Sequence, residues 1–299
     1  MDTGANWFAP GGRTHSLIGS RGTNGTHDHM IIESGGTSTE FGDLTSNRGS
    51  QPACYHSETR GITHAGYLGG NLNTIDYFTF ETAGNAAAFG SSTTARHGAT
   101  GMQNTVRGVG AGGHNGGHLS VMDYVTMATT GSATTFGSMT ISAHLRGSVS
   151  NNTRGVMYRG DNGAGTHHNN IDYITIATTG SATDFGDTIN RGWGYQGASD
   201  ATKGLLMPYY VSGNVGYITQ IETITIGTTG DATNFGDMTD TGRLSSVDNA
   251  IIAVGVRYST STTSLEQITI QTNANATSFG GTLREGKNGH VHDSCIAKD

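Results

Sequence analysis

Cysteine is scarce. Cys54 and Cys295 are the only two in 299 residues, too few for a disulfide framework. Proline occurs three times and lysine three times, at Lys203, Lys287 and Lys298. The formal net charge is −7, so a basic face for nucleic acid is not expected. No apolar run reaches the length of a membrane-spanning helix, so no membrane insertion is expected. Charged residues make up only 13 % of the chain, whereas disordered chains are usually charge-rich. No Gly-x-Ser-x-Gly elbow, His-Glu-x-x-His or P-loop is present. The acids look scattered, and a glycosidase pair assembled from distant residues is the one catalytic arrangement that spacing does not address. Residues 1–12 show neither the basic nor the apolar stretch of a secretory leader.

What is abundant is glycine, 48 residues, without a Gly-X-Y period. The glycines belong to a repeat. Six Phe-Gly pairs begin at Phe41, Phe89, Phe136, Phe185, Phe235 and Phe279, separated by 48, 47, 49, 50 and 44 residues. Nine residues ahead of each Phe stands Ile32, Phe80, Met127, Ile176, Ile226 or Ile270. Eleven ahead stands Met30, Phe78, Val125, Ile174, Ile224 or Ile268, with Thr between the two in five copies. Apolar–Thr–apolar is the period-2 pattern of a strand with one buried face. Five residues ahead comes Gly36, Gly84, Gly131, Gly180 or Gly230, with Ala274 in the last copy, and a tight turn with positive φ is expected there.

Each hairpin is preceded by a second inner strand, opening on Arg-Gly at Arg60, Arg107 and Arg154, similar from Arg13 and weaker from Lys203 and Asn249, with a further short strand before it in most repeats. Four short strands in about 45 residues make a propeller blade. The expectation is all-β: an N-terminal extension over 1–12, then a single six-bladed kelch-like propeller over 13–299. The expected blades are 286–299 with 13–45, 46–93, 94–141, 142–189, 190–240 and 241–285. The C-terminal segment reads as an orphan inner strand, so the ring is expected to close by pairing it with the N-terminal blade, which protects sheet edges. An open solenoid is the competing architecture, with shorter coils and no complementary ends.

Two resemblances follow from these motifs. The Gly-Gly doublets at Gly69-Gly70 and Gly112-Gly113 look like a divergent kelch blade, with Phe in place of the outer-strand Trp. Residues 171–187, IDYITIATTGSATDFGD, and 153–156, TRGV, resemble a repeat of bacteriophage tail and virion structural proteins, especially of cyanophages. The resemblance covers nearly all of 13–299. It implies a non-enzymatic virion or tail-associated protein made in the host cytoplasm. Its expected partners are other virion proteins or host-surface glycans, oligomerisation is open, and no cofactor is implied. A lectin-like carbohydrate binder is the alternative, and a polysaccharide-active enzyme a lesser one.

The candidate contact residues are few. His27, His29, His114, His118, His167 and His168 fall in the expected loop before the hairpin in copies one, three and four. Imidazoles there suit a metal or a pH response, but a solvated loop explains them equally, and no metal site is assigned. Trp193, Tyr195, Tyr209, Tyr210 and Tyr217 cluster in copy five as a contact patch or local core. The arginines Arg60, Arg107 and Arg154 are expected to grip a neighbouring blade's carboxylate or carbonyl. Asp43, Asp187 and Asp237, after the Phe-Gly pair, suit turn hydrogen bonding better than Ca²⁺. Arg159-Gly160-Asp161 is read as a chance tripeptide.

Overall fold

The computed structural model describes the chain except for residues 1–13, 20–24, 33–34, 49–51, 81, 164–166, 195–196, 208–209, 212–215, 240–243, 249–250, 258–263, 284–293 and 299. The N-terminal extension thus lies outside the described residues. Every regular element is a strand, and the strands form six antiparallel sheets in a β-propeller arrangement.

The first sheet contains β1 (Thr14–Gly19), β2 (Thr26–Ile31) and β3 (Thr39–Asp43). The second holds β4 (Ala53–His56), β5 (Arg60–Tyr67), β6 (Asn71–Thr79) and β7 (Ala87–Ser91). The third holds β8 (Thr100–Gln103), β9 (Arg107–Ala111), β10 (Val121–Thr126) and β11 (Thr134–Ser138). The fourth holds β12 (Gly147–Ser150), β13 (Arg154–Tyr158), β14 (His168–Thr175) and the long β15 (Thr183–Trp193). The fifth begins with β16 (Ala198–Ser199) and β17 (Lys203–Leu206). The chain then returns to the fourth sheet, adding β18 (Tyr210–Val211) and β19 (Gly216–Tyr217) beyond β15. β20 (Gln220–Thr225) and β21 (Thr233–Asp237) complete the fifth. The sixth is β22 (Leu244–Asp248), β23 (Ile252–Arg257), β24 (Ser264–Thr269) and β25 (Thr277–Thr282). Finally β26 (Ser294–Lys298) joins the first sheet, antiparallel to β1, with Leu17 opposite Cys295.

Two expectations need correcting. Six blades were expected; the propeller arrangement is instead one of five blades, and the two ends of the chain meet in a further sheet of β26 with β1, β2 and β3. Four strands per blade also fails for the fourth sheet. There β15 runs on past the hairpin and carries β18 and β19, giving six strands.

The core is distributed over the contacts between sheets. Met102, Val109, Met122 and Phe136 of the third sheet pack with Met157, Ile174 and Ile176 of the fourth. Tyr55, Ile62, Ile75 and Phe89 of the second pack with Val125 and Met127 of the third. The same two apolar positions of the repeat recur at the junction of sixth and first sheets, where Met30 and Ile32 meet Val254, Leu265 and Phe279. Each of these clusters draws on two sheets, so neighbouring sheets stabilise one another, as in repeat proteins.

Two polar clasps add to this packing. The first is the arginine that opens the second strand. Arg107 lies 4.5 Å above the Tyr124 ring and donates to Ile176 O (3.3 Å) and Ala177 O (2.7 Å) of the next sheet. Arg60 does the same over Tyr77, reaching Met127 O and Ala128 O. Arg154 lies over Tyr173 and reaches Ile226 O. The expected grip on a neighbouring carbonyl is thus present, and Lys203 takes over the role in the fifth sheet, bonding Gln271 O.

The second clasp is made by the hairpin turn, which docks on the Phe-Gly pair of the preceding sheet. Gly131 N donates to Phe89 O (2.9 Å), and Gly180 N to Phe136 O (2.9 Å). At every junction a further backbone bond follows, from Ala86 N to Asp43 O at the first through Ser38 N to Thr282 O between the sixth and first sheets. A Cβ on the Phe-Gly glycine has no room in the first five copies: at Gly137 it would lie 2.2 Å from Gly180 O, and in the sixth the close approach falls on Gly281 instead. The turn glycines divide: Gly36 (φ +106°) and Gly230 (φ +158°) have the expected positive φ, whereas Gly84, Gly131 and Gly180 do not. A Cβ on Gly131 or Gly180 meets nothing within 4 Å, and Ala274 takes the place in the sixth copy without positive φ.

Candidate functional site: a histidine and aromatic row

Charged residues buried between sheets come first, because they set what remains free. Thirteen residues ahead of each repeat Phe is an acid: Asp28, Asp76, Asp123, Asp172, Glu222 or Glu266. All six are buried. Arg48 pairs with Asp76 (2.7 Å), Arg96 with Asp123, Arg146 with Asp172 (2.6 Å) and Arg159 with Glu222. Thr45, Thr93 and Thr140 add hydroxyl donors to the first three acids, and Thr239 to Glu266. Arg48, Arg96 and Arg146 lie on the connectors between sheets, so each pair ties a connector to the sheet it enters. The sequence shows this as a sixfold acid in phase with the Phe, a phase that the impression of scattered acids overlooked.

The second such cluster includes His64. Its Nε2 lies 3.3 Å from Asp123 Oδ1, and Nδ1 accepts from the Tyr55 hydroxyl (2.8 Å). Burial lowers the His64 pKa despite the neighbouring carboxylate. His64 and Arg96 hold the Asp123 carboxyl well below the usual carboxylate range, against the opposing effect of its burial. Arg159, whose tripeptide resembles an adhesion motif, is buried in the pair with Glu222 and is not displayed.

The hairpin acids act as strand-end partners. Thr26 Oγ1 donates to Asp43 (2.6 Å) and Thr219 Oγ1 to Asp237 (2.9 Å). Asp187, inside β15, contributes through its backbone N–H, which donates to Asp231 Oδ1 (2.9 Å).

The histidines divide into two groups. His27 and His29 lie within β2, not in a loop; His27 is buried 4.7 Å from the Phe78 ring and His29 sits 5.6 Å from Phe41. His168 likewise begins β14. His114, His118 and His167 do lie in loops. They are joined there by His97 and His144, which enter the first strands of the third and fourth sheets. His97, His114 and His118 form one ladder of isolated bridges, and His144, Asp161 and His167 form its counterpart on the next sheet. Both ladders sit where the second strand ends and the third begins, so they share one end of adjacent sheets.

The rings touch in sequence. Tyr67 to His97 is 5.3 Å between centroids, His97 to His114 5.3 Å, His114 to His118 5.0 Å and His118 to His144 4.8 Å. Farther along, His167 stacks with Trp193, and Tyr210 lies between Trp193 and Tyr217 at 5.5 Å from each. The β18–β19 extension is what brings Tyr210 and Tyr217 to Trp193. Tyr195 and Tyr209 lie outside the described residues. His97 and His144, missed at the sequence level, follow the connector arginine or precede it by two residues, and only the ladder pairing places them beside His114.

Among the described residues, no group of three His, Cys, Asp or Glu is placed to hold a metal ion. Burial lowers the pKa of His97 to about 4 and lowers those of His118 and His144; adjacent imidazoles contribute further. Within this row, His97 Nδ1 donates to Asn71 Oδ1 (2.7 Å) and His144 Nδ1 to Asp161 O (3.0 Å). No family model matches the chain, and no curated protein matches it.

Proposed function

We propose that this protein is a non-enzymatic structural component of a virion, tail-associated or on the particle surface. In this reading it is a rigid β-propeller ring, closed by its two chain ends, whose loop face docks another virion protein or a host surface. The observation that carries the platform reading is the use of the buried charges. Arg48, Arg96, Arg146 and Arg159, with their acids, all fasten neighbouring parts of the propeller together. Such groups add rigidity and register rather than chemistry. Ring closure is supported by the pairing of β26 with β1 and by the Ser38–Thr282 backbone bond, the counterparts of bonds at the other junctions. The virion setting is supported by the resemblance of residues 171–187 to the phage repeat. The test is immunoblotting of density-gradient fractions from a producing culture, using antiserum to the purified protein. The protein is expected to band with intact particles; recovery only from the soluble fractions overturns the virion role.

Adhesion to a glycan has its own supporting observation, the Trp193–Tyr210–Tyr217 line, in which Tyr217 is exposed. Aromatic rings with accessible faces suit the apolar face of a sugar. On a glycan array, binding that Tyr217→Ala reduces about tenfold without changing the unfolding midpoint supports adhesion. Binding unchanged by Tyr217→Ala, or no binding by the wild type, leaves protein docking as the role of this face.

A further inference from the structure

The histidine row lies at the joint between the third and fourth sheets. From the third come His97, His114 and His118; from the fourth come His144, Asp161 and His167. The backbone bonds that cross the joint are few. Gly113 N donates to Ala143 O (3.0 Å), Leu145 N to Gly98 O (2.9 Å) and Ala143 N to Leu119 O (3.1 Å). His118, His114 and His144 form a triangle of rings 4.8, 5.0 and 5.7 Å apart, and His97 flanks it. At those separations, charged imidazoles repel strongly in a half-buried setting.

The other groups facing the row do not neutralise it. Asp161 is the one carboxylate acting on His118 and His144. Tyr67 and Asn71, from the second sheet, contact His97 and carry no charge at neutral pH. At the far end, His168 faces Arg146, Arg191 and His167 as well as Asp161, a set dominated by positive charge. Trp193 and Tyr210, which flank His167, are also uncharged. Arg146 is already paired with Asp172, so one carboxylate, Asp161, stands among several imidazoles and the Arg191 guanidinium.

We infer that this row is an acid-sensitive joint: protonation of His97, His118 and His144, packed around the His114 ring, loosens the loops over the third and fourth sheets while the arginine clasps beneath stay paired. The sign follows from the direction of the shifts. The folded His97, His118 and His144 imidazoles hold protons less tightly than those of an unfolded chain, so the joint is fully stable above about pH 6.5. It weakens as pH falls toward about 4, the value for His97. The inference concerns the loop face and holds whether or not the protein resides on a particle.

Hydrogen exchange read by mass spectrometry tests it. Between pH 7.0 and pH 5.0, after correction for intrinsic rates, amides of residues 113–119 and 143–145 are expected to exchange about tenfold faster. Those of the hairpin turns at Gly131 and Gly180 should not change. In a His114→Gln/His118→Gln variant the local acceleration should largely vanish. Equal acceleration in variant and wild type, or acceleration spread evenly over the chain, overturns the inference. NMR titration of the imidazoles in the unmodified protein is an independent check. His97, His118 and His144 should titrate below pH 6.5, and titration of these three at or above that value overturns the inference even if the variant fails to fold.

Discussion

Arg96→Ala is expected to destabilise the protein by about 3–5 kcal/mol, the cost of leaving one member of a buried ion pair without its partner. Asp123 has no exposed surface. Removing Arg96 leaves its carboxylate with Thr93, whose N–H and hydroxyl both donate at 2.7 Å, and with His64. Those partners do not supply a fixed positive charge. With the guanidinium gone, burial dominates and the Asp123 pKa rises, which favours protonation. Arg96 also donates to Gly110 O, so the connector between second and third sheets loses an anchor along with the charge. Urea unfolding of the purified variant measures the loss. Arg191→Ala is the matched control. Arg191 stands three residues after Thr188, in the same Thr-x-x-Arg spacing as Arg96 after Thr93, yet it is exposed. Its loss is expected to stay within about 0.5 kcal/mol, as for an ordinary surface substitution. Equal effects of the two changes, or an Arg96 effect below about 1 kcal/mol, exclude the ion pair as a significant fastening. A second comparison separates charge from packing. Replacing both partners, as in Arg96→Met with Asp123→Leu, is expected to restore most of the loss, because apolar groups of similar volume leave no orphaned charge.

The contrast between Arg96 and Arg191 also shows where sequence reasoning succeeds and where it stops. The strands are legible because the repeat presents each of them six times, and chance patterns do not recur in phase. The Arg60, Arg107 and Arg154 clasps were also legible, because a guanidinium beside a strand of Ile and Thr has few partners other than neighbouring carbonyls. The arginine that serves each acid was not. In the fourth repeat β15 runs on to Trp193, turning Arg191 outward, and Arg159 reaches Glu222 from the end of β13 instead. Spacing along the chain does not encode that exchange, because it depends on how far a strand continues. The histidine row was only half legible for the same reason. His114 and His118 are close in sequence, but His97 and His144 reach them through bridges that form only when connectors and loops lie side by side. The contact patch was visible as a local excess of Trp and Tyr. That β18 and β19 would attach to the fourth sheet rather than the fifth was not, since two-residue strands carry no readable period.

The glycines of the repeat give the second large effect, as a difference between two residues that look interchangeable in sequence. Gly137→Ala is expected to cost about 1–3 kcal/mol, the range for forcing extra atoms into a packed interior. The upper end is expected because the obstacle is backbone. The added methyl would lie 2.2 Å from Gly180 O and 2.5 Å from Gly180 C, atoms that no rotamer change can move. Relief requires the fourth sheet's hairpin to withdraw from the third. That would break the Gly180–Phe136 and Ala182–Ser138 bonds together. Gly180→Ala touches the other side of the same contact and is expected to be neutral or slightly stabilising. Its φ is not in the left-handed region and its Cβ direction is open. Reducing the freedom of the unfolded chain then contributes about 0.4–1 kcal/mol in its favour. The sixth repeat already carries this change as Ala274, whose carbonyl receives Gly236 in the same close approach. Thermal unfolding of the two single variants should therefore move in opposite directions from wild type, or leave Gly180→Ala unmoved. If Gly180→Ala is the more damaging of the two, the turn needs its glycine for conformation, and close approach is not what the Phe-Gly pair secures.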